Sequence, residues 1–110
     1  MANKITTYQE DLIEALKKPR EAAAYLNAAM EEDDRAVFLL ALRNVAEAHG
    51  GMASVAEKAR LNRENLYRML SERGNPEIKS VLRLLQSMGL KLSVEPKNKR
   101  AKSSKIRKAA

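Results

Sequence analysis

Residues 52–71 read MASVAEKARLNRENLYRMLS. Val55, Ala56 and Ala59 fall on one face of a short helix, and a break follows. Asn62 then suits an N-cap, and a second short helix carries Leu66, Met69 and Leu70 turned inward. Two short helices that cross steeply need small or apolar residues where they meet. Ala56 and Leu61 supply them. The pattern predicts a helix-turn-helix over 52–71.

The outer face of the second helix is polar. At about 100° per residue, Glu64, Arg68 and Ser71 point most directly outward, with Tyr67 on one flank and Asn65 on the other. Arg63 stands at the end that enters a DNA major groove first. Arginine pairs with guanine edges and asparagine with adenine edges, each good pair giving about 1–3 kcal/mol of discrimination. The candidate DNA-binding residues are therefore Asn62, Arg63, Glu64, Asn65, Tyr67 and Arg68, with Arg73 and Lys79 as candidate phosphate contacts. The competing interpretation is a solvated helix face. On it, Glu64 and Arg68 form an intrahelical ion pair worth about 0.3–0.5 kcal/mol, Tyr67 packs on the flank, and Arg73 and Lys79 are plain surface charge.

Upstream, the periodicity predicts helices within 8–49. A first helix covers Tyr8–Lys17 with Leu12, Ile13 and Leu16 on one side, and Pro19 stops it or starts the next. Residues 20–31 follow with Ala23, Leu26, Ala29 and Met30 inward. Asp33 or Asp34 caps a third helix over 35–49, apolar nearly all round in its first half and so expected at the centre of the bundle. Gly50 and Gly51 end it, with His49 as an ordinary helix C-terminal residue.

Downstream, GNP at 74–76 is a loop, and 77–88 is an amphipathic helix with Ile78, Val81, Leu82, Leu85 and Met88 inward. LKLSV at 90–94 switches to period two and predicts one short strand. A lone strand needs a partner. Leu90, Leu92 and Val94 are accordingly the candidate dimerisation residues, with addition to another protein's sheet as the rival.

The whole reads as an all-α, compact bundle of five to six helices containing a helix-turn-helix, with one short C-terminal strand. Residues 1–96 form a single domain, and 97–110 a disordered basic tail. The tail holds seven of the 21 lysines and arginines and no acid, so the net charge of +7 belongs to it. Residues 1–96 carry 14 cations and 14 acids; within them, 1–50 is acidic (six against nine) and 51–96 basic (eight against five). The positive end thus lies on the segment with the DNA-binding pattern.

The sequence has no cysteine and one histidine, His49, so neither a metal site of ordinary type nor a Cys–His nucleophile is expected. A Gly-rich phosphate loop is missing too. The expectation is a non-enzyme without metal or cofactor. No apolar run approaches the ~20 residues that span a bilayer, and MANKITTYQE lacks a signal-peptide core. A cytoplasmic protein is expected.

Ala56, Leu61, Leu66 and Met69, followed by GNP and an amphipathic helix ending MGL, resemble the Cro-type (XRE) helix-turn-helix repressors. The likeness is closer to the addiction-module antidote proteins, the HigA-like antitoxins. It is carried by YLNAAMEED (25–33), ALRNVAEAHGGM (41–52), LNRENLYRMLSERGNP (61–76) and VLRLLQSMGLKLSV (81–94). The chain departs from the motif at the turn, often Gly, where Arg60 stands. The resemblance implies a homodimer that represses its own operon through a palindromic operator in double-stranded DNA, and a cognate toxin of RelE/ParE type as partner. The alternatives are a plain XRE-type regulator without a toxin, or a protein-interaction module whose tail alone binds nucleic acid without specificity.

Overall fold

In the computed structural model, which describes residues 7–97, six helices follow in order. They are α1 (Tyr8–Ala15), α2 (Pro19–Glu31), α3 (Arg35–Ala48), α4 (Met52–Ala59), α5 (Arg63–Met69) and α6 (Ile78–Ser87). No helix among the described residues is long and apolar enough to cross a membrane.

The helix starts follow from side chains that satisfy the orphan N–H groups of a first turn. Thr7 and Glu10 form a reciprocal capping box. The Glu10 N–H donates to Thr7 Oγ1 (2.9 Å), and the Thr7 N–H donates to Glu10 Oε1 (3.2 Å). Pro19 opens α2 at N1, where its missing N–H costs nothing. Asp34 caps α3, its carboxylate accepting from the Ala36 N–H at 3.0 Å. His49 is the C-cap of α3, with Nδ1 3.0 Å from the Val45 carbonyl. Gly50 and Gly51 then turn the chain at φ +107° and +96°, a region that side chains disfavour.

The centre of the bundle is α3, which packs on α2, α1 and α4, while α4 in turn carries α5 and α6. Leu16, Leu39, Leu42, Val45, Val55, Leu66, Leu70 and Leu84 are essentially inaccessible, so each helix except α2 contributes or adjoins one of them. In α2 the buried stripe is Ala22, Leu26 and Ala29. This differs from the expectation by one residue at its start, and Met30 lies outside.

Two further expectations are corrected. α3 is not covered all round, for Val37 and Leu40 are exposed. Neighbours cover the sides of α3 that carry Leu39, Ala41, Leu42, Asn44, Val45, Ala46 and Ala48 and leave Val37 and Leu40 outside, because apolar character alone does not supply a further neighbour. On α6, Ile78 and Leu82 are exposed while Leu84 is buried. The stripe Val81, Leu84, Leu85, Met88 satisfies the i, i+3, i+4, i+7 rule against α4, and Ile78 and Leu82 fall at its edge.

The strand expected at 90–94 does not form: Leu90–Lys97 carries neither helix nor strand. A strand is defined by ladder hydrogen bonds, and among the described residues no strand faces the segment. Leu90 is instead half-buried against the core, its N–H donating to the Leu85 carbonyl at 2.8 Å, while Val94 is 94% exposed. The tail beyond Lys97 and the lead before Thr7 lie outside the described residues.

Asn44 is buried on α3, and its partners join three helices. Gln9 Nε2 of α1 donates to Asn44 Oδ1 (2.9 Å), and Asn44 Nδ2 donates to the Tyr25 hydroxyl of α2 (2.8 Å). Deleting the amide strands both partners, although exposed Gln9 can turn to water. Asn44→Ala should therefore lower stability by about 1–2 kcal/mol, read as a lower urea midpoint at unchanged m. An unaltered midpoint would show the bridge to be energetically idle.

Candidate nucleic-acid interface

The seven-residue α5 is too short to persist alone. It is held by what surrounds it. Leu66 and its C-cap Leu70 are fully buried, and α5 packs on α4. Asn62 is the N-cap as expected, its Oδ1 accepting from the Asn65 N–H at 3.0 Å. At the other end Arg43 of α3 donates through Nη1 to the Leu70 carbonyl at 2.8 Å. The Ser71 hydroxyl donates to the Arg68 carbonyl at 2.7 Å. Arg43 shares α3 with Asn44 and Glu47, and nothing in its spacing names a carbonyl at the end of α5 as its target.

Between α4 and α5, Arg60 is left-handed at φ 60°, ψ 43°. For a residue with a Cβ this costs about 1–2 kcal/mol relative to glycine. The N–H of Leu61 returns to the Ala56 carbonyl at 2.8 Å, and that of Arg60 to Glu57 at 3.1 Å, which closes α4 before Asn62 opens α5.

All eight DNA-binding candidates are exposed: Asn62, Arg63, Glu64, Asn65, Tyr67 and Arg68 on or at the start of α5, Arg73 in the loop, and Lys79 on α6. Arg68 Nη2 donates to Asn65 Oδ1 at 2.7 Å. No ion pair joins Glu64 to Arg68 among the described residues. Asn65, Arg68 and Arg73 line one open groove of about 600 Å³, floored by Met69 and Gly74 and bounded by the start of α6 at Ser80. Arg63, Glu64, Tyr67 and Lys79 stand outside that groove on the same pair of elements. Leu90 and Leu92 line a different concavity with Met30 and Phe38, and Val94 projects away from it. Among the described residues no group of three His, Cys, Asp or Glu is placed to hold a metal ion.

The family model described as "Probable addiction module antidote protein" matches residues 6–96. The chain belongs to that family. An "Uncharacterized protein" of Haemophilus influenzae is 34% identical to it over 85 residues, which covers 77% of this chain and 87% of the relative. No solved structure matches. The match of this antidote-family chain spans all six helices and stops short of the basic tail. Membership carries an antidote role and a toxin as partner.

Proposed function

We propose that this chain is the antitoxin of a type II toxin–antitoxin module that neutralises a RelE/ParE-type toxin and, as a dimer, represses its own operon by sequence-specific DNA binding. The observation that carries the DNA reading is α5 itself, a short helix locked to the core through Leu66 while Arg63, Asn65, Tyr67 and Arg68 stand exposed. These are the side chains that read base edges, with Asn62 and Glu64 beside them and Arg73 and Lys79 set to touch phosphate. The dimer brings two such helices to half-sites about one helical turn apart. The segment 90–94, unpaired among the described residues, finds its facing strand in a second copy, with Leu92 and Val94 at the contact. Leu90, already packed at home, contributes less.

Selection of bound sequences from random duplex DNA tests the reading, and a two-fold symmetric site should emerge. On that site Arg68→Ala should cost about 1–3 kcal/mol and relax the preference at one position per half-site. Unchanged affinity and preference would remove α5 as the recognition element. Co-expression with the product of an adjacent short reading frame should restore growth that the product alone arrests; without rescue, a plain regulator would be left.

A further inference from the structure

Lys58, Arg60 and Arg83 line one shallow concavity of about 370 Å³ between the end of α4 and the middle of α6, with Gln86 and Ser87 completing it. Three cations share the hollow and no carboxylate lines it. None of the three makes an ion pair or a side-chain hydrogen bond within the described residues. They are exposed, and like charges so placed repel one another. Arg60 also stands in the left-handed conformation where glycine is the ordinary choice. A strained residue type and an unneutralised cluster thus coincide at one spot, and one anion would account for both.

We propose that this hollow is a phosphate-binding site that takes one backbone phosphodiester of the duplex on which α5 lies. Arg60 and Arg83 supply planar forks of N–H donors that match phosphate oxygens, and Lys58 adds a point charge. Gln86 adds a neutral amide donor, while the Ser87 hydroxyl is already spent on the Leu84 carbonyl at 2.7 Å. Duplex backbone is chosen over free phosphate because of position. Arg60 stands two residues before Asn62, the cap of α5, and α5 is the helix that bears the base-reading candidates. A strand wall flanking a helix in the groove lies within reach of that turn. The proposal rests on the DNA-binding reading and adds residues that face no base.

Arg60→Gly makes a test whose two readouts move in opposite directions. It removes a cation and also relieves the left-handed backbone, so the variant should melt at higher temperature than the wild type. On the selected duplex its slope of log affinity against log salt should be shallower, by at most about 0.9 for the one phosphate involved, which corresponds to a weakening of up to roughly tenfold near 0.1 M salt. Its sequence preference should be unchanged. Arg83→Gln should shift the slope in the same way, whereas Arg20→Gln, an equal change in net charge on α2, should leave it alone. The full chain is used throughout, so the tail contributes equally to every slope. Inorganic phosphate at matched ionic strength should not raise the melting temperature.

Specific binding by the wild type with an unchanged slope in Arg60→Gly and Arg83→Gln would overturn the site and leave the DNA reading standing. Stabilisation by inorganic phosphate that Arg60→Gly abolishes, with the duplex slope intact, would overturn the assignment to backbone. A wild type that selects no duplex sequence would remove the DNA reading and this site with it.

Discussion

Leu66→Ala should lower the unfolding free energy by about 3–5 kcal/mol, one of two large stability losses expected from single changes around α5. Leu66 is 0% exposed and is the only buried residue within α5 itself. Truncation removes its transfer free energy and opens a cavity between α4 and α5 that the neighbours refill only in part. A domain of this size holds a net stability of about 5–15 kcal/mol, so one residue answers for a large share. A seven-residue helix without its anchor has no independent means of staying helical. Urea unfolding followed by circular dichroism checks the loss as a lower midpoint, and hydrogen exchange should show α5 opening first. A loss under about 1 kcal/mol would mean that α5 is held mainly from its ends, by the Asn62 cap and the Arg43 bond.

Gly74→Ala is the second. Gly74 is buried where the 71–77 segment folds back against the end of α5, its N–H donating to the Ser71 carbonyl at 2.8 Å. A Cβ there would collide with the Met69 carbonyl, which is backbone and cannot swing aside. Overpacking against side chains commonly costs about 1–3 kcal/mol; against a helix end the expected loss is about 3 kcal/mol or more. Gly51→Ala provides the contrast. Its added Cβ meets nothing within 4 Å, leaving only its own backbone to oppose it at φ +96° and ψ 164°, a conformation nearly confined to glycine, at about 1–3 kcal/mol. Thermal unfolding of the pair should rank Gly74→Ala well below Gly51→Ala. The reverse order would show that the loop opens readily and that Met69 does not define its path.

What the sequence made legible, it did through short-range chemistry. Asn62, Asp34 and Pro19 mark helix starts because a cap acts within three residues of its own position, and all three hold those places. The Thr7–Glu10 box is equally legible in its spacing, and it sets the start of α1 at Tyr8, where the periodicity placed it. Long-range matters were not legible. Asn44 and Arg43 are polar residues on the most apolar helix, and only the approach of Gln9, Tyr25 and the Leu70 carbonyl reveals what they do. Val37, Leu40, Ile78 and Leu82 match helical spacing as well as their buried neighbours do. Which of two adjacent stripes is covered depends on how many helices are available to cover it. LKLSV has the period of a strand, yet period two describes only a preference, and hydrogen-bond partners lie outside the segment. Of the candidate interface, the exposure of α5's outer residues was readable, but the Arg68 partner was not. Arg68 bonds Asn65 rather than Glu64, a choice of rotamer that spacing leaves open.

That clasp between Asn65 and Arg68 has a consequence for how the chain would meet a duplex under the proposed role. The bond uses one guanidinium N–H and the asparagine oxygen at 2.7 Å, and it leaves the other guanidinium and amide N–H groups free for water or a base edge. Under that role the clasp would hold the Arg68 fork in place before any duplex arrives, so less side-chain freedom would be lost on contact.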